Sequence, residues 1–193
     1  MLRKMLSKWY IYFVSTILVV ASFCIITSVK SEPKENEKIN FIIVSHGVNN
    51  GLKSYLNDNK PSGIKKIEFR YVDLNTKNIN YIFSTLRESA DFFILPLSYA
   101  ENNPSITIKY SANIKVDYLN EKIDTSPTYY YSEDYAKGIK AYDKETKTGL
   151  LSDYIDYGED NYYLFFTYNS KNIGKLNNSD SEKAIDVLKE VIL

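Results

Sequence analysis

From Trp9 to Val29 the chain carries no charged side chain, whereas residues 1–8 hold Arg3, Lys4 and Lys8 and no acid. A helix rises ~1.5 Å per residue, so this run spans about 32 Å, enough to cross a hydrocarbon core of roughly 30 Å. Trp9, Tyr10 and Tyr12 stand at its start, where amphipathic rings favour the headgroup level. Basic flanks stay on the cytoplasmic side. The expected order is therefore a cytoplasmic flank over 1–8, a transmembrane anchor over 9–29, a spacer over 30–38 and an extracytoplasmic domain over 39–193. Two other outcomes keep the same compartment. Val19-Val20-Ala21 offers a signal-cleavage site, but a cut there leaves Ser22–Val29 as an exposed apolar tail. Lipidation of Cys24 calls for a small residue before it, and Phe23 occupies that position. The expected location is the cell membrane, with one pass and the C-terminal domain outside.

Cys24 is the one cysteine, and it lies inside the apolar run. The exported part thus has no intramolecular disulfide and no thiolate metal site. Its length suits one domain with a real core. The whole chain balances 24 basic against 24 acidic residues, and without the three bases of the flank the remainder is slightly acidic. Nucleic-acid binding uses a concentrated basic surface, so no nucleic-acid partner is expected.

Ser31–Lys38 (SEPKENEK) is charged, contains Pro33 and lacks apolar periodicity, as a solvated spacer does. Ile39–Ser45 (INFIIVS) is a short apolar run rich in β-branched residues, continuous over Phe41–Val44, which predicts a strand buried on both faces. Val48, Leu52, Tyr55 and Leu56 recur at helical spacing, with Asn49 or Asn50 as the N-cap. Ile64–Val72 alternates as a second strand. Ile79, Ile82, Phe83 and Leu86 mark a helix, and Asp91–Leu95 (DFFIL) is a third strand stopped at Pro96. Strand and helix alternating on short links predict an α/β fold of three layers, its sheet mostly parallel. Further on, Ile106–Tyr110 and Ile114–Leu119 alternate like strands, Tyr135–Tyr142 reads as extended and Tyr162–Tyr168 as a strong strand. Ser179 and Glu182 have capping-box spacing before a closing helix lined by Ala184, Ile185, Leu188, Val191 and Ile192.

The sharpest short string is Phe41–Gly47, FIIVSHG. Histidine phosphatases carry Arg-His-Gly after the first strand, but Ser45 stands in the arginine's place here, and that chemistry needs a second histidine. His46 is the sole one. Acyl transfer by Ser45 and His46 is the catalytic alternative. Adjacent residues at a strand end project apart, and no G-x-S-x-G elbow exposes a serine. Asp153, Asp156, Glu159 and Asp160 gather around Gly158, and Asp143 and Glu145 precede Gly149, without the EF-hand spacing of a calcium loop. No metal and no cofactor are expected. Tyrosine numbers 18, and Tyr129–Tyr131, Tyr135 and Tyr99 could line a sugar or peptide groove.

The segments IKKIEFRYVD, SADFFILPLSY and YYLFFTYNSKNIG, with the final SEKAIDVLKEVI, resemble the first lobe of the extracellular solute-binding proteins that serve ABC transporters. The resemblance spans Ile39 to Ile192 as a pattern of elements. It implies ligand contacts from the loops after the first and third strands: Ser45, His46, Gly47 and Val48, then Pro96, Leu97, Ser98 and Tyr99. Open α/β sheets bind ligands beyond strand C-termini at a switch point, which leads to the same places independently and adds Asp73 and Asn75 after the second strand. Family members close two lobes around a solute, and this chain has the length for one.

These readings converge on a membrane-anchored, non-catalytic recognition domain for a small polar solute or an envelope protein such as a membrane permease. Ser45, His46, Gly47, Asp73, Asn75, Leu97, Ser98 and Tyr99 are its candidate contacts. The alternatives are a hydrolase built on the Ser45–His46 turn and a non-binding accessory subunit of a membrane complex.

Overall fold

A computed structural model describes residues 2–31, 33–123 and 127–193; Met1 in the expected flank and Glu32 in the expected spacer lie outside the described residues. The chain divides into two compact units, Met1–Lys34 and Glu35–Leu193. In the first, α1 (Leu2–Ser31) contains a stretch, Lys8–Ile25, that is long and apolar enough to cross a membrane and has every residue exposed. Ser15 and Thr16 return their hydroxyls to the Tyr12 carbonyl at 2.8 Å each, so neither needs an outside partner. Trp9 and Phe13, one turn apart, stack at 5.6 Å.

The second unit is built on a mixed seven-stranded sheet. Its elements in chain order begin with β1 (Lys38–Ser45), β2 (Gly47–Val48), α2 (Leu52–Asp58), β3 (Lys66–Asp73) and α3 (Ile79–Leu86). Then come β4 (Phe92–Pro96), α4 (Leu97–Asn102), α5 (Val116–Lys122), β5 (Tyr129–Ser132) and β6 (Tyr135–Asp143). The chain ends with β7 (Thr148–Gly149), β8 (Ile155–Asp156), β9 (Tyr162–Phe166) and α6 (Lys183–Val187), which continues as a wider π turn, Leu188–Ile192. The sheet order is β3-β1-β4-β9-β6-β5, with β7 on β6; β2 and β8 form a separate two-stranded ribbon.

β1 lies between two parallel neighbours, β3 from Lys38↔Lys66 to Ser45↔Asp73 and β4 from Phe41↔Phe92 to Ile43↔Ile94. Its side chains alternate between two cores, which is why Phe41–Val44 is apolar without a break. Ile39, Phe41 and Ile43 join Leu52 and Leu56 of α2, Leu119 of α5 and Ile185 of α6 on one face. Ile42 and Val44 join Phe83 of α3, Ala100 of α4, Phe93 and Phe165 on the other. Helices therefore cover both faces.

The expectation of a mostly parallel sheet is corrected. The β4–β9, β9–β6, β6–β5 and β6–β7 pairs are all antiparallel. The second half of the chain turns back through short links after Ser132 and Asp143, and a short link joins only antiparallel strands. Two further expectations fail in the same region. Ile106–Tyr110 is a turn ending in a short 3-10 segment, because Thr107 Oγ1 donates to the Ala100 and Asn103 carbonyls at the end of α4. Of Ile114–Leu119, Val116 onward is α5, whose Tyr118 and Leu119 enter the first core. The capping box is not formed either. Glu182 instead accepts from Tyr118 Oη at 2.7 Å and pairs with Lys122 at 2.5 Å. At α2, Gly51 takes the N-cap position, and Asn49 Oδ1 accepts its N–H at 2.8 Å.

Candidate functional site

Strands β1, β3 and β4 point the same way, so their C-terminal ends gather Ser45, Asp73 and Pro96 at one edge of the sheet. Ser45 is fully buried, and its hydroxyl donates to the Gly47 carbonyl at 3.0 Å. Asp73 folds the chain after β3: its Oδ1 accepts the Asn75 N–H at 2.8 Å and the Asn75 side-chain amide at 3.1 Å, while Leu74 N–H reaches the Ser45 carbonyl at 3.1 Å. Leu97 and Ser98 form the first turn of α4.

The gap between the ends of β1 and β4 is spanned by the chain's own residues 156–161. His46 N–H donates to the Asp156 carbonyl at 3.1 Å, and Leu97 N–H donates to the Asn161 carbonyl at 2.8 Å. Ser98 gives its N–H and its hydroxyl to Asp160 Oδ2, at 3.1 and 2.5 Å. The His46 ring lies against Gly158, where a Cβ would come within 2.5 Å of it; Gly158 has φ +63° and turns the segment at that point. Gly47 pairs with Asp156, and beside this ribbon a shallow groove of about 400 Å³ is lined by Gly47, Val48, Asn49 and residues 152–156.

The structure brings Ser45, His46, Gly47, Asp73, Asn75, Leu97 and Ser98 to one end of the sheet, but Tyr99 turns inward. Its ring meets Phe83 edge-on at 5.9 Å, its hydroxyl donates to Asn80 Oδ1 at 2.8 Å, and burial pushes that hydroxyl up to about 12. Tyr162, the first residue of β9, carries no local motif that marks a site. It is fully buried, and its hydroxyl has no hydrogen-bond partner among the described residues. Burial, then the negative Asp160 and Asp156, hold it protonated far above the usual tyrosine range. Tyr71 is raised by burial and by Asp73 and Asp156. Among the described residues no group of three or more His, Cys, Asp or Glu is placed to hold a metal ion. Tyr129 and Tyr131 sit edge-to-face at 6.5 Å on β5, at the far side of the sheet from β3.

No protein-family model matches this chain, and no curated protein or solved structure is significantly similar to it.

Proposed function

We propose that this chain is a membrane-tethered recognition domain, facing outward from a cytoplasmic membrane, that contacts an envelope protein through the end of the sheet where β1, β3 and β4 finish. The observation that carries this reading is the closure of the gap by residues 156–161. A crevice open at that place would suit a small solute; a filled one presents a surface. That surface carries Asp73, Asp153, Asp156 and Glu159 beside a shallow groove, so a basic patch on a protein is the complementary partner. The solute-binding-protein resemblance supports the same end of the sheet as the contact face, in a one-lobed relative that meets a permease-like membrane protein. The buried, committed Ser45 hydroxyl weighs against the hydrolase alternative, as does a His46 ring packed on Gly158 with no carboxylate bonded to it among the described residues.

The test is site-specific photocross-linking in native membranes with the full chain. A photoreactive residue at Ser152 should give one discrete adduct, while the same residue at the exposed Tyr81 on α3 should give none. Asp153→Lys with Asp156→Lys should abolish the Ser152 adduct without loss of folded protein. An adduct indifferent to that charge reversal, or equal labelling from Tyr81, overturns the assignment.

A further inference from the structure

At the end of the sheet opposite the proposed contact face, the starts of β1 and β4 and the chain leaving β9 surround a polar cavity of about 290 Å³. Its floor is Asp91, 6% exposed. Asp91 Oδ1 accepts from Ser170 Oγ at 2.6 Å and Asn172 Nδ2 at 3.0 Å, whereas among the described residues Oδ2 accepts only the Asn40 N–H, at 2.9 Å. Ser170 and Asn172 are themselves buried, and Asn172 Oδ1 accepts from Ser181 Oγ at 2.9 Å, so the floor is held from behind. A carboxylate oxygen takes two donors, which leaves Oδ2 one acceptor position.

The charges around the floor are unbalanced. Among the described residues Asp91 has no ion pair, and burial raises its carboxyl above the ordinary range despite three donors and the more distant Lys38. Glu88 and Lys38 also line the cavity, and neither makes an ion pair among the described residues. Lys171 and Glu35, both exposed, pair with each other at 3.5 Å. A buried carboxylate without a countercharge is costly, and a cation brought to it recovers part of that cost. Among the described residues the lining contains no aromatic ring, which removes the usual platform for sugars and bases. At ~30 Å³ per water the volume corresponds to about ten waters, room for a compound of roughly ten non-hydrogen atoms.

We propose that this cavity is a binding site for a small primary-ammonium compound, whose ammonium donates to Asp91 Oδ2 and faces Glu88 while its polar end meets Asn40, Asn169 and Lys38. The same three bonds to Asp91 also fasten residues 170–172 to β1. A purely structural carboxylate would do that with no preference for ammonium over hydroxyl. The site lies away from the contact face proposed above, so either assignment can fail without the other.

The experiment uses the full ¹⁵N-labelled chain in phosphatidylcholine nanodiscs, titrated with ethanolamine and, in parallel, with ethylene glycol, which has the same skeleton without the ammonium. Ethanolamine should shift the amides of Asn40, Asp91 and Asn172 saturably, and ethylene glycol should leave them unmoved. Asp91→Asn should weaken the response at least tenfold. Should that variant not fold, Ser89→Trp leaves the floor intact, fills the rim and should abolish binding. Discs containing phosphatidylethanolamine distinguish sources: the same shifts without added ligand identify a lipid headgroup, and their absence identifies a free solute. No saturable shift by about 10 mM ethanolamine, an equal response to ethylene glycol, or unchanged binding in Ser89→Trp would overturn the proposal.

Discussion

Ser98 commits both its backbone N–H and its hydroxyl to a single oxygen of Asp160, a residue 62 positions later in the chain. That contact fastens residues 156–161 to the first turn of α4. Both partners are solvent-facing, so each bond contributes modestly, about 1 kcal/mol for the pair's removal. Asp160→Ala should lower global stability by roughly that much while raising amide exchange about fivefold at Ser98 and across 156–161. Hydrogen exchange read by mass spectrometry checks it. Exchange unchanged in that segment would mean the backbone bonds at His46 and Leu97 hold it alone.

Ile43 has no exposed surface and stands between Tyr71 and Ile94 in the parallel ladder. Ile43→Asp places an uncompensated charge in the first core and should cost several kcal/mol, enough to unfold a marginal domain. Urea unfolding followed by far-UV circular dichroism measures the loss. Wild-type stability of this variant would contradict the burial of β1.

Lys122, then the Tyr118 hydroxyl, holds Glu182 below the usual glutamate range. A carboxylate whose folded value is depressed contributes stability above its unfolded value and loses it as pH falls through the folded one. The glutamate contribution should therefore disappear on acidification from roughly pH 5 downward. Glu182→Gln should flatten that limb, measured as the difference between variant and parent urea midpoints across pH. Asp91 acts in the opposite sense: its raised folded value gives a contribution that is full at low pH and lost as pH rises. Parallel limbs in parent and Glu182→Gln would remove Glu182 from the acid response.

The uncharged run and its basic flank set the expected topology. Protease added to intact protoplasts should digest residues 39–193 and spare the N-terminus, read by immunoblot with tags at each end. A protected C-terminal domain would reverse the orientation on which the proposed partner depends.

Legibility in the sequence followed how local the deciding contact was. Phe41–Val44 and Phe92–Leu95 could be read directly, since strands covered on both faces leave no polar position to break the run. Ile114–Leu119 alternated as a strand would, yet Tyr118 and Leu119 are adjacent core residues of a helix, fixed by packing against distant partners. Ser45–Gly47 and Leu97–Ser98 were legible as strand ends. What filled the space between them was not, because the bonds from Asp160 and Asn161 arrive from another part of the chain. Gly158 after Asp156 announces a turn, but nothing local says that His46 will rest on it. The Asp91 floor was hidden for a related reason: its three donors come from β1 and from the loop after β9.

The placement of β1 also sets how the domain bears tension. Lys38, its first residue, closes the stretch expected as a spacer, in which Glu35–Glu37 forms a short 3-10 turn belonging to the second unit, and the strand runs from there between two parallel neighbours to Ser45 at the proposed contact face. A pull between anchor and partner would run along the strand and load the rungs to β3 and β4 in shear, all together, where a hairpin pulled from its open end parts one rung at a time. Were the domain held at one end of β1 and engaged at the other, as proposed above, it would act as a stiff mechanical link.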